Sequence, residues 1–187
     1  MAGQENNHMI QKLTRTAKEV LAFFFRHPTG EVHIRGLSDA ADIPYSSVRN
    51  ALQELDERGL VAKREESKMT FYTANRDDSV FRRRKRLHNL QVLYDSGVVD
   101  VLEGTFRPDA IVLFGSYLEG ADREDSDVDI AVVNGRDADV DLGEYEAEIG
   151  RAFQVVQTSD PTEEEPEFRN TLANGYLLAG YLEVVKR

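Results

Sequence analysis

The sequence LFGSYLEGADREDSDVDIAVV, residues 113–133, holds two apolar runs separated by a polar segment. The first run, Ala110–Phe114, begins just before this stretch and predicts a buried strand. It ends at Gly115-Ser116, and Tyr117–Gly120 is expected to start a helix. A strand that turns through Gly-Ser into a helix presents unpaired backbone N–H groups and a hydroxyl at a positive dipole end. This arrangement suits a phosphate.

The second run predicts a strand over Asp127–Val133, with ten residues between Ser116 and Asp127. The two-residue period of a strand places Asp127 and Asp129 on one face. Two carboxylates about 6 Å apart repel by roughly 3 kcal/mol at an effective dielectric of about 20. A divalent cation removes this repulsion, and oxygen ligands favour Mg²⁺ or Mn²⁺. The alternative is a pair of surface carboxylates within an acidic loop that also contains Asp122, Glu124 and Asp125.

The two parts together resemble the G-S-x10-D-x-D signature of the DNA polymerase β nucleotidyltransferase superfamily, particularly its minimal prokaryotic members. Phe168–Leu182 is more weakly similar to the closing helix and strand of those proteins. The resemblance implies that Gly115 and Ser116 grip the phosphates of an NTP, with ATP expected. It further implies that Asp127 and Asp129 are catalytic metal ligands. The implied reaction moves a nucleoside monophosphate to an acceptor hydroxyl and releases pyrophosphate.

The superfamily has a third carboxylate on a later strand, which helps to deprotonate the acceptor. The later strand here is predicted over Ala152–Val156, and Gln154 stands where the aspartate is expected. The alternative source of a base is the acidic segment just upstream, with Glu144, Glu146 and Glu148. The resemblance implies a protein or small-molecule acceptor, as in antitoxins that modify partner toxins. The rival function is a regulator whose nucleotidyltransferase domain binds nucleotide without efficient catalysis.

The N-terminal part contains LSDAADIPYSSVRNALQELDERGLVAKRE, residues 37–65. Apolar periodicity predicts a helix over residues 9–27, then an extended piece over 31–34 and helices over 36–41 and 45–58. Alternation around a polar turn predicts a hairpin of residues 60–65 and 69–73. This order resembles the winged helix-turn-helix domains of prokaryotic regulators. The joined architecture is similar to a family of archaeal predicted regulators.

In the winged-helix family the second helix of the pair enters the DNA major groove and the hairpin wing follows the phosphates. The resemblance therefore implies DNA contacts by residues of the second helix, Tyr45, Ser46, Ser47, Arg49 and Asn50. On the wing it implies contacts by Lys63, Arg64 and Lys68. Because this part is electrically neutral, a protein-interaction or homodimerisation role is the alternative.

Residues 76–107 are predicted to form a basic helical connector between the winged helix of residues 1–75 and the nucleotidyltransferase domain of residues 108–187. The connector carries five consecutive cations, residues 82–86. They form either a solvated face that balances the acidic neighbour or a contact to phosphate or DNA backbone.

Composition limits the remaining classes. The net charge of −11 is concentrated in residues 108–187, which have six basic and nineteen acidic residues. This surface repels nucleic acid, so DNA contacts are expected in the N-terminal half; adaptation to a salty cytoplasm is a further explanation. The absence of cysteine, of a signal peptide and of long apolar runs predicts a cytoplasmic protein without membrane contact. The predicted fold class is α+β.

Overall fold

The structure, a computed structural model, describes residues 12–67 and 69–184. The chain forms two compact units. The N-terminal unit contains the residues up to Phe24 and Gly30–Ala74, and the C-terminal unit contains Phe25–Thr29 and the residues from Asn75 onward. The prediction of an α+β chain, with a winged helix followed by a small mixed sheet, is confirmed.

The N-terminal unit is a three-helix winged helix. Its elements are α1 (Arg15–Arg26), β1 (Glu31–His33), α2 (Ile34–Ala41), α3 (Tyr45–Glu57), β2 (Val61–Glu66) and β3 (Met69–Ala74). The three strands form an antiparallel sheet in the order β1-β3-β2. Apolar side chains at helical spacing on α1 and α3 are fully buried, among them Val20, Val48 and Leu52. The expected helix over residues 9–27 begins at Arg15, and its expected part up to residue 11 lies outside the described residues.

The C-terminal unit is built on a four-stranded mixed sheet. Its elements are α4 (Ser79–Asp95), α5 (Val98–Phe106), β4 (Ala110–Phe114), α6 (Gly115–Glu119), β5 (Val128–Val133), α7 (Gly143–Ile149), β6 (Phe153–Thr158), α8 (Pro166–Ala173) and β7 (Tyr176–Gly180). The strand order is β6-β5-β4-β7, with β5 and β6 parallel and the other neighbours antiparallel.

Both faces of this sheet are covered, which explains why β4 is continuously apolar. Ile111 and Leu113 face one core cluster, which includes residues of α4 and α5. Ala110 and Val112 face the opposite cluster, which includes Leu172 of α8. The sheet therefore holds the end of β4 beside the start of β5, its two central strands.

The expected separate connector is not what the contacts show. Residues 76–107 form two helices, α4 and α5, instead of a single one, and both belong to the C-terminal unit. Leu93 and Leu102 are fully buried in the same cluster as the sheet residues. The apolar residues that suggested a connector helix thus form one wall of the core. Within the described residues, no helix is long and apolar enough to cross a membrane.

Candidate active site

The Gly-Ser turn and the second aspartate are direct neighbours. Phe114 at the end of β4 pairs with Asp129 of β5. Gly115 follows with φ of 73°, and a Cβ at this position would overlap the Oδ2 atom of Asp129. The sequence analysis expected the Gly115-Ser116 turn to present backbone N–H groups to a phosphate. The structure adds that Gly115 leaves the space that the Asp129 carboxylate occupies.

The two aspartates lie at the start of β5, although the strand begins at Val128, one residue later than expected. Asp127 is exposed and Asp129 is half-buried. Partial burial raises the pKa of the Asp129 carboxyl, and the nearby charge of Asp127 raises it further. Both causes penalise the ionised form, which a bound cation would favour.

Gln154 lies beside Asp129 in the parallel register of β5 and β6. This is the neighbouring strand on the side away from β4, and the Gln154 side chain is exposed. An amide oxygen can contact a cation but carries no charge. No cluster of three or more histidine, cysteine or acidic residues suited to a metal occurs in the part of the chain that the structure describes. Among the described residues, no third acidic side chain thus forms a metal-ligating group with Asp127 and Asp129.

The glutamates proposed as an alternative base lie on α7 and differ in their surroundings. Glu144 and Glu148 are exposed. Glu146 is half-buried, and its Oε1 accepts a hydrogen bond of 2.9 Å from the backbone N–H of Phe153. Glu146 also lines a cleft together with Asp127. Of the three, Glu146 is therefore the one that the fold brings toward the site.

The loop between α6 and β5, which ends at Asp127, is held by Asp122. The side chains of Lys85 and Asp122 form an ion pair and are 0% and 1% exposed. Asn89 donates a hydrogen bond of 2.9 Å to Oδ1 of Asp122, and Arg151 Nη2 lies 3.5 Å from Oδ2. Burial lowers the pKa of Lys85, whereas the Asp122 carboxylate raises it. Sequence reasoning counted Asp122 among surface carboxylates, because nothing local in the sequence signals its partners on α4.

Two clefts adjoin the site. The first, about 570 Å³ and here named the Gly115 cleft, is lined by Arg86, Phe114, Gly115, Leu118, Glu119, Asn170, Thr171, Asn174 and Gly175. The second, about 530 Å³ and here named the Asp127 cleft, is lined by Glu124, Asp125, Ser126, Asp127, Gly143, Glu146, Ala147, Gly150, Arg151 and Ala152. The Gly115-Ser116 turn and the exposed aspartate Asp127 thus open onto separate clefts. Sequence reasoning had not singled out the α8 residues of the first.

The residues expected to contact DNA have different surroundings in the N-terminal unit. On the second helix α3, Ser47 is half-buried, whereas the exposed residues are Tyr45, Ser46, Arg49 and Asn50. On the wing, the cations already have acidic partners. Arg64 binds Glu31 and Glu66, and Lys63 lies 2.7 Å from Glu65. Lys68 lies outside the described residues.

The mixed sheet, the Gly-Ser turn after β4 and the aspartate pair of β5 define the C-terminal unit as a nucleotidyltransferase-fold domain. Comparison with known families agrees. Residues 97–179 match the family described as "Polymerase beta, Nucleotidyltransferase", and residues 27–77 match the family described as "Sugar-specific transcriptional regulator TrmB". The chain therefore matches a nucleotidyltransferase family over its C-terminal part and a transcriptional-regulator family over its N-terminal winged helix.

A solved structure is also similar. It is the solution NMR structure of a homodimeric winged helix-turn-helix DNA-binding domain from Mycobacterium bovis, a possible ArsR-family transcriptional regulator. The sequences are 22% identical, and the match covers 52% of this chain and 94% of that chain with a TM-score of 0.35. No curated protein matches the chain.

Proposed function

We propose that the C-terminal unit binds an NTP, with ATP expected, and transfers its nucleoside monophosphate to the hydroxyl of a protein or small-molecule acceptor. The observation that carries this proposal is the contact between Gly115 and Asp129. The Gly115-Ser116 turn, which we propose binds phosphate, lies directly beside a carboxylate whose ionised form is disfavoured. Such an arrangement serves a phosphate and a cation held together.

The residues fit one divalent cation better than two. Asp127 and Asp129 offer carboxylate oxygens, which Mg²⁺ and Mn²⁺ prefer. A cation bound there would neutralise charge on the phosphates and orient them for displacement. A second cation would need a third negative ligand, and Gln154 is neutral. The donor set therefore supports nucleotide binding more strongly than fast catalysis.

The chain's own groups would act as follows. The backbone N–H groups and the hydroxyl at Gly115-Ser116 would hold the phosphates. The acceptor oxygen would form a bond to the α-phosphorus while the bond from that phosphorus to the bridging oxygen breaks, so pyrophosphate leaves. The acceptor proton would pass to water, because the amide of Gln154 cannot accept it. Transfer is therefore expected to be slow.

Introducing a carboxylate at position 154 tests this arrangement. Gln154→Asp is expected to raise metal-dependent transfer of label from [α-³²P]ATP to acceptors in cell lysate. General-base assistance is typically worth about 10²–10⁴ in rate, which sets the upper limit of the gain. The matched control is Gln157→Asp on the same strand. Gln157 pairs with Val132 rather than with an aspartate, so no gain is expected there.

The same assay identifies a different base if one exists. No gain with Gln154→Asp, combined with loss of transfer in Glu146→Gln, would place the base on α7. Absence of transfer in every variant, with ATP binding retained, would favour the second candidate function.

That second candidate is a transcription regulator whose C-terminal unit binds nucleotide without efficient catalysis. The neutral residue at position 154 and the regulator-type winged helix both favour it. Exposed polar side chains on α3 are the expected DNA contacts. The wing cations Lys63 and Arg64 are partly neutralised by their glutamate partners, so we expect them to contribute little to the salt dependence of binding.

DNA binding is expected to depend on Arg49. Full-length protein would first be used to select duplexes from a random pool, and gel shifts at several salt concentrations would then compare variants. If Arg49 reads a base, Arg49→Ala costs about 1–3 kcal/mol and relaxes the sequence preference. The control is Arg15→Ala, which removes the same charge from α1. Equal behaviour of the two variants, or no DNA affinity at low salt, would contradict the regulator function.

A further inference from the structure

Several of the five consecutive cations, residues 82–86, have different contacts. Arg82 donates to the backbone oxygen of Arg76 and contacts Asp77, and Arg83 donates to the backbone oxygen of Ser79. Lys85 is buried against Asp122. Each of these cations is thus engaged within its own unit, and the run does not form one continuous face for nucleic acid.

Arg86 differs from these neighbours because it lines the Gly115 cleft. Within the described residues, no carboxylate forms an ion pair with Arg86. Glu119 lines the same cleft but is not paired with it. The guanidinium of Arg86 therefore remains available to an anion in the cleft.

The backbone fixes the position of Arg86 relative to the phosphate-binding turn. The short helix α6 begins at Gly115 and ends at Glu119, and Gly120 caps its C-terminus. Gly120 lies so close to α4 that a Cβ there would overlap the Arg82 carbonyl oxygen and stand 2.9 Å from the Arg86 backbone nitrogen. The five residues of α6 thus lead from Gly115 to Gly120, and Gly120 lies against the backbone of Arg86.

The side chains that line the cleft suit a ligand that carries several negative charges on one part and no charge on another. Arg86 is the only cation among the cleft-lining residues, and α6 has no basic residue. The wall formed by α8 contributes neutral polar side chains, Asn170, Thr171 and Asn174. Because the rest of the unit is strongly acidic, a polyphosphate needs a local positive charge to enter.

We propose that Arg86 binds the polyphosphate chain of the nucleotide in the Gly115 cleft, which neutral side chains of α8 also line. This inference rests on the proposed function and assigns a role to the basic run. A guanidinium can donate two parallel hydrogen bonds to phosphate oxygens, which makes arginine well suited to this contact. The contact concerns the phosphates and not the nucleoside.

The test measures the affinities of the full-length protein for ATP and AMP by calorimetry with Mg²⁺. Arg86→Gln is expected to weaken ATP binding about tenfold or more and AMP binding much less, since hydrogen bonds to charged groups are the stronger ones. Arg86→Lys should lie between the two because it keeps the charge but loses the two-pronged geometry. The control is Arg83→Gln, which removes the same charge one turn earlier on α4 and should leave both affinities unchanged.

The outcomes separate this inference from the function on which it rests. ATP binding that requires Asp127 but is the same in Arg86→Gln and the parent protein would overturn the role of Arg86 alone. Equal losses for ATP and AMP would also overturn it, as would a loss of DNA affinity in Arg86→Gln with ATP affinity unchanged. No ATP binding by the parent would overturn both proposals. Arg86-dependent ATP binding without label transfer would support Arg86 and contradict catalysis only.

Discussion

Replacing Asp122 with alanine is expected to lower the free energy of unfolding of the C-terminal unit by about 3–5 kcal/mol. Removing one partner of a buried ion pair leaves the other charge uncompensated, and losses of this size are typical. Lys85, fully buried, would lose its carboxylate partner. Lys85→Met should cost less, because Asp122 would keep its contacts with Asn89 and Arg151.

Urea unfolding of the full-length protein, with hydrogen exchange of the β4 and β5 amides, would measure this loss. Asp125→Ala is the matched control: Asp125 is an exposed carboxylate in the same loop, so its loss should stay within about 0.5 kcal/mol. Burial already lowers the pKa of Lys85, and Asp122 opposes this effect. The loss of unfolding free energy in Asp122→Ala should therefore become smaller as the pH rises toward 10.5, because Lys85 can become neutral. Similar stabilities of Asp122→Ala and Asp125→Ala would contradict the role of the buried pair.

Asp127→Asn and Asp129→Asn are each expected to abolish metal-dependent ATP binding, with a loss of at least about 100-fold. The loss of an outer-shell partner alone typically costs 10–100-fold in metal affinity, and these carboxylates are the proposed ligands themselves. Calorimetry with and without Mg²⁺ would measure the effect. Asp125→Asn controls for the loss of one negative charge in the same loop and should bind as the parent does.

The fold should survive these changes, which distinguishes lost ligation from lost structure. The pKa of Asp129 is raised, so ionisation of this carboxyl destabilises the fold fully above the raised pKa and not at all below the ordinary aspartate pKa of 3.8. Metal-free Asp129→Asn should therefore be slightly more stable than the parent at neutral pH, by less than about 1 kcal/mol because solvent screens a half-buried group. Unchanged ATP–Mg²⁺ binding in both variants would show that the metal site is elsewhere.

The anchoring of the Asp122 loop also bears on the site itself. Lys85 and Arg86 are adjacent on α4, yet Lys85 is buried against Asp122 in the loop before β5, whereas Arg86 lines the Gly115 cleft. One turn of α4 therefore touches both parts of the proposed site. Because α4 follows β3 of the winged helix directly in the chain, this turn is close in sequence to the N-terminal unit.

The sequence by itself determined most elements of both units, but not the division of residues 76–107 into α4 and α5. Continuous apolar runs predicted β4 and β5, because a strand buried on both faces has no polar side to alternate. Helical spacing predicted the helices of the winged helix, because each buries one stripe. The motif residues were found because the turn and the strand that carry them are local structures. The family resemblance, and not a strand pattern, singled out Gln154, and the structure pairs Gln154 with Asp129.

Only the tertiary structure decided which charges are surface charges and which are structural. Lys85 and Asp122 are 37 residues apart. Lys85 lies in a basic run and Asp122 in an acidic loop, and the sequence alone suggests that both segments are exposed to solvent. Their burial follows from the packing of α4 against α6, which no local pattern encodes. The same packing places Arg86 in the lining of the Gly115 cleft and makes residues 76–107 part of the C-terminal unit. Local periodicity specifies which side of an element is apolar, whereas the partner of a buried charge is set by contacts between elements distant in the chain.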